Sequence, residues 1–207
     1  MLIPAETLLA FFIASIAIEL TPGPNMVYLA LLGAQRGRAA GYAAVAGVAL
    51  GLLVIGLLAA FGVATLISEN RALYEVLRWG GVLYLVWLAW DSWRETLLPP
   101  EQATMQHKLP VFFRRGLITN LLNPKAALFY ITVLPLFVAA AEPLMPQTVV
   151  LTLVYVFAAT LVHTLIVTGA GSFTRLFANQ RWRRGLGLVF ALLLVGVAIW
   201  LAFKTAA

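Results

Sequence analysis

The chain has 207 residues, 62% of them hydrophobic and 11% charged, where a soluble domain has about 25% charged. That balance excludes an ordinary water-soluble core and reads as a chain whose solvent is the bilayer. The net charge of +6 sits in short polar connections, which points to membrane orientation and away from nucleic acid, and the absence of cysteine excludes disulfides, thiolate nucleophiles and thiolate metal sites.

Apolar runs follow one another at 3–20, 39–67, 73–90, 117–141, 148–171 and 186–203. Each reaches or approaches the ~20 residues that cross ~30 Å of hydrocarbon as a helix. The expected fold is an all-α integral membrane protein, a single transmembrane domain of six helices. No Lys or Arg precedes Arg36, so the first run lacks the positive start of a cleavable signal and reads as mature protein. It ends in ELTPGPNMVYL, 19–29, where Pro22, Gly23 and Pro24 interrupt it. A proline inside a helix removes a donor and clashes with the preceding turn, at a cost of about 3 kcal/mol. In lipid the freed backbone groups find no water, so such a break needs protein packing or a wet cavity around it.

The second run carries Gly37-xxx-Gly41 and Gly47-xxx-Gly51, a spacing that allows close helix contact and would permit a homodimer. At the end of the third, Asp91 and Arg94 stand three apart and are expected to pair at the interface. The segment 91–113, DSWRETLLPPEQATMQHKLPVFF, is polar and holds Pro99, Pro100 and Pro110. A linker over 93–113 then separates a first three-helix half, 1–92, from a second, 114–207. An odd number of spans per half makes the halves cross in opposite senses, as two inverted three-helix repeats do. TPGPNMVYLAL and LLNPKAALFYI align Pro24 with Pro124, so helices 1 and 4 are expected to be the broken ones.

Basic residues fall in the first, third and fifth connections: Arg36 and Arg38; Arg94, Lys108, Arg114 and Arg115; Arg175, Arg181, Arg183 and Arg184. The positive-inside rule puts these connections in the cytoplasm and both termini outside. By the helical rise, Pro24 and Pro124 lie ~15 Å and ~13 Å from the cytoplasmic ends of their helices, near the midplane. Paired interruptions in two halves point to a transporter's substrate site. The half-helices that start there offer amides and a positive dipole end to an anionic group such as a carboxylate. The competing reading is that the prolines are kinks for packing.

The polar residues at that depth are few. Lys125 needs a partner or water, because a charge at the centre of a membrane helix costs about 2.5–3.5 kcal/mol on insertion scales. It either binds a substrate carboxylate or carries a proton, unless it snorkels to the interface. Glu19 could accept an ammonium, carry a proton or pair with Lys125. Asn25 is expected to line the site, and Asn120 and Asn123 to cap half-helices. In the fifth run Thr160, His163, Thr164 and Thr168 share a helical face. They either line a route, with His163 titrating near neutral pH, or make interhelical hydrogen bonds.

LTPGPN at 20–25, QRGRAAGYAAVAGVALG at 35–51, GGVLYLVWLAWDSWR at 80–94 and FRRGLITNLLNPKAALFYITVLPLF at 113–137 together resemble the LysE/RhtB amino-acid exporter family of bacteria. The resemblance runs in order through nearly the whole chain. It implies a multi-pass permease of the cytoplasmic membrane that expels amino acids or close derivatives, driven by a proton or other ion gradient. It also implies Pro22, Gly23, Pro24, Asn25, Asn123, Pro124 and Lys125 as substrate-binding positions. Many members carry Asp where this chain has Asn25, and an acidic or polar residue where it has Leu52. The scarcity of acids in the path favours neutral, zwitterionic substrates over cationic ones.

The expected function is secondary export by alternating access around a midplane site, with Glu19, Lys125 and His163 as proton-coupling candidates and Thr160, Thr164 and Thr168 as pathway candidates. No cofactor or metal is expected. The alternatives are a divalent-metal exporter, for which one intramembrane His and one acid are a poor ligand set, and a membrane assembly subunit that transports nothing. A membrane-embedded enzyme lacks any zinc-type His-Glu motif or thiol in these letters.

Overall fold

The computed structural model describes residues 3–21, 23–61, 70–97, 109–139, 141–172 and 180–204, and their secondary structure is helical throughout. Helix α1 is Ala5–Glu19, and α2 is Pro24–Ala60. Helix α3 is Arg71–Leu97 and α4 is Leu109–Leu121. The short α5, Pro124–Leu128, continues as a π-helical turn, Phe129–Val133, and a 3-10 turn, Leu134–Phe137. Helices α6, Leu144–Ala170, and α7, Gln180–Lys204, complete the described chain. Pro135 lacks an amide donor, which fits the change of hydrogen-bonding register there.

Two stretches, Arg38–Ala60 and Leu144–Ala170, are each long and apolar enough to cross a membrane. Two more spans are bent pairs: α1 with Pro24–Arg36, at 65°, and α4 with Pro124–Phe137, at 51°. The interruptions expected in the first and fourth helices are therefore present. The runs at 73–90 and 186–203 are helical, within α3 and α7, but do not meet the same length-and-apolarity test. The polar stretch that starts at Asp91 does not end the third helix, which continues to Leu97 before Pro99. Residues 98–108 lie outside the described residues.

Helix α2 is the centre of the bundle: it packs on α4 and α6, while α3 packs on α7 and α1 on α6. Glycines set the closest approaches. A Cβ on Gly47 would collide with the Phe113 carbonyl, and one on Gly116 with the Ala44 carbonyl, so α2 and α4 touch backbone to backbone. Gly41 makes room for the Val167 side chain and Gly51 for that of Asn120. Gly37 does something else. No atom would obstruct its Cβ, so it is not half of a packing pair; it joins the two parts of α2 at φ 84° and ψ 177°. A side chain is strained there whatever the space. Gly37→Ala is expected to cost about 1–3 kcal/mol, measured as a lowered unfolding midpoint in detergent; an unchanged midpoint would show that the turn relaxes freely.

Candidate functional site

The two breaks meet. Pro24 and Pro124 each stand at the first residue of a half-helix, where a missing N–H costs nothing. The residues before them, Gly23 and Asn123, are both extended. Between the breaks lies a narrow cleft lined by Glu19, Gly23, Asn25, Asn123, Lys125 and Tyr155, among others. Pro22 lies outside the described residues.

The two half-helix starts differ in one respect. Asn123 caps its own half-helix: its side-chain oxygen accepts from the Lys125 amide at 3.1 Å. Gly23 has no side chain to do this, and no side chain caps the helix that begins at Pro24. The first-turn amides of Asn25 and Met26 have no partner within the helix itself. The open positive end of a long helix therefore belongs to the first break, and Lys125 comes from the second. The Lys125 ammonium donates to the Thr21 carbonyl at 2.8 Å, which ties one break to the other. Its chain passes close over Gly23, where an added Cβ would be 3.2 Å from Lys125 Cδ.

Glu19 is buried, at the last residue of α1. Its Oε1 accepts from the Tyr155 hydroxyl at 2.6 Å, and its Oε2 lies 3.0 Å from His163 Nε2. That second contact is an ion-pair distance without the alignment of a ring N–H hydrogen bond, and His163 Nδ1 has no partner among the described residues. Glu19 and Lys125 thus line one cleft without forming an ion pair with each other. Tyr155 was not legible as a site residue. Its ring stacks on Phe129 with centroids 3.7 Å apart, and it stands eight residues before His163, two turns along one face. That spacing was the available signal.

Asn25 donates from its amide to Asn120 Oδ1 at 2.7 Å, a buried bond between the two broken helices. Asn120 therefore bridges helices where capping was expected of it, because its side chain, fully buried against Gly51, points at α2. Thr160 and Thr164 are partly buried and do not line the cleft. Thr168 hydrogen-bonds the Thr164 carbonyl and the Tyr42 hydroxyl, and its own carbonyl accepts from Arg38, toward the Arg38 end of α2. Of the shared face in α6, His163 alone reaches Glu19. Among the described residues no three His, Asp or Glu side chains come together as a metal site would require.

Charged and polar groups collected between two interrupted apolar helices are the mark of membrane transport proteins, which break helices where a pathway needs polar backbone. The chain belongs to the LysE type translocator family, whose model it matches over residues 16–205. It is 35% identical over 135 residues to a leucine efflux protein of Salmonella typhimurium, a match that covers 64% of each chain. The chain therefore spans less than two thirds of that relative's length. An uncharacterized membrane protein of Pseudomonas aeruginosa is 32% identical over 203 residues, 94% of each chain. A homoserine/homoserine lactone efflux protein of Salmonella typhi is 27% identical over 180 residues, 85% of this chain and 83% of the relative. No solved structure matches the chain.

Proposed function

We propose that the chain is a secondary exporter of neutral, zwitterionic amino acids or close derivatives, with protons as the coupling ion. The observation that carries this reading is one cleft holding an open helix start and Lys125 on one side and Glu19 on the other. A zwitterion has the complementary pair of charges. Its carboxylate meets the Lys125 ammonium and the amides of Asn25 and Met26, and its ammonium meets Glu19.

Coupling would run through the same carboxylate. His163 and Tyr155 hold Glu19 from behind. When His163 carries a proton, its imidazolium satisfies Glu19; when it is neutral, the carboxylate is available to the substrate ammonium. A proton and a substrate then compete for one charge, and the exchange is an antiport. Helices α1 to α3 and α4 to α7 would be the inverted halves. The pairing of α2 with α4, and of α6 with the first broken helix, supports that exchange symmetry. Both termini would lie outside the cytoplasmic membrane. The two halves would rock around the site to open it outward.

The test is release of leucine, and separately homoserine, from preloaded proteoliposomes with and without an imposed pH gradient. Release accelerated by the gradient supports the reading, and absence of release of any amino acid tried rejects it. A finer test is Gly23→Ser. A serine there can cap the open amides as Asn123 does on the other half-helix, so the half-maximal substrate concentration is expected to rise roughly tenfold while the unfolding midpoint holds or rises.

A further inference from the structure

A second cleft lies beside α2, along the half-helix that starts at Pro24, from Tyr28 to Arg36. Tyr28, Gln35, Ser92, Phe112 and Arg115 are among its lining residues. Asn25, Tyr28, Leu32 and Gln35 repeat at intervals of three and four, so one helical face runs from the midplane cleft to this one. On this helix the first cleft is lined as far as Met26 and the second from Tyr28 to Arg36, so the two are neighbours along it. The arginines Arg36 and Arg115 place the second cleft at the cytoplasmic end in the expected orientation.

Arg115 pairs with Asp91 at 2.7 Å and lies over the Trp87 ring at 5.3 Å. This corrects the expected Asp91–Arg94 pair: the partner comes from α4, across the bundle. Ser92 donates to Gln35 Oε1 at 2.8 Å, and Gln35 Nε2 is buried with no partner among the described residues. Both ends of the ion pair keep some exposure, 12% for Arg115 and 22% for Asp91, and Arg115 lines the cleft. The bonds join α3 to both broken helices at once.

We propose that Arg115, in the wall of this cleft, is an outer binding point for the substrate's carboxylate, and that Asp91 holds it in the substrate's absence. An arriving carboxylate replaces the Asp91 carboxylate on Arg115 and accepts the spare Gln35 donor. One anion takes the place of another on Arg115, and the displaced Asp91 carboxylate is balanced by the substrate's own ammonium. Release of Asp91 removes one tie between α3 and α4, beside that of the Tyr84 hydroxyl to the Arg115 carbonyl. This inference rests on the exporter reading.

The experiment measures leucine efflux kinetics in proteoliposomes for the wild type, Asp91→Asn, Arg115→Gln and the double variant. Asp91→Asn removes the competing anion and is expected to lower KM by roughly threefold or more. Arg115→Gln is expected to raise KM roughly tenfold with a smaller change in the maximal rate. The double variant leaves no unpaired charge and should resemble Arg115→Gln, which keeps the test decisive if either single variant fails to fold. A merely structural ion pair predicts otherwise: both single variants lower the unfolding midpoint and neither lowers KM. That result, or a double variant with wild-type KM, overturns the outer site. Wild-type vesicles that release no amino acid would instead defeat the exporter reading beneath it.

Discussion

Lys125→Ala is expected to reduce amino-acid efflux by at least roughly 10- to 100-fold, the equivalent of one lost charge-assisted contact of about 1.5–3 kcal/mol. The protein should still insert and unfold near its normal midpoint. The lysine is half-buried and its one hydrogen bond goes to the Thr21 carbonyl, in an exposed residue that water can reach. Loss of function would therefore come from the substrate side of the contact. Lys125→Arg keeps the charge but needs more room over Gly23, and should recover only part of the rate. Efflux at the wild-type rate in Lys125→Ala would remove the lysine from the site.

Glu19→Gln should separate transport from its driving force. Glutamine keeps the size of the side chain and can still accept from the Tyr155 hydroxyl. It cannot exchange a proton with His163 or balance a substrate ammonium. Gradient-driven efflux is expected to fall at least roughly tenfold, and whatever efflux remains should no longer respond to an imposed pH gradient. The measurement is the ratio of rates with and without that gradient. A Glu19→Gln protein whose efflux still accelerates in the gradient would place coupling elsewhere. Glu19→Ala is the harsher variant, since it leaves the Tyr155 hydroxyl and His163 buried without a partner.

The interruptions at Pro24 and Pro124 were legible because proline acts on its own backbone. It removes a donor and restricts the residue before it wherever the rest of the fold lies. Lys125 was legible for a related reason, as a charge that apolar neighbours cannot satisfy. Gly37 was harder. Its letters fit a small-residue packing pattern shared with Gly41, and only the backbone angle distinguishes a turn from a contact face. Asp91 had a plausible local partner in Arg94 and took a distant one in Arg115. Spacing along one helix lists what a side chain can reach locally, and says nothing of a neighbouring helix that offers better geometry.

What the chain by itself determined is where its backbone must break, which ends carry positive charge, and which few polar groups must be accommodated in lipid. Those follow from constraints local to each residue and its solvent. The tertiary structure alone decided the partners: Glu19 with Tyr155, 136 residues away, and Asn25 with Asn120, 95 residues away. It also decided that Glu19 and Lys125 flank one cleft without pairing. Such choices depend on how closely glycine lets one helix approach another, and that distance is a property of two surfaces meeting rather than of either sequence segment.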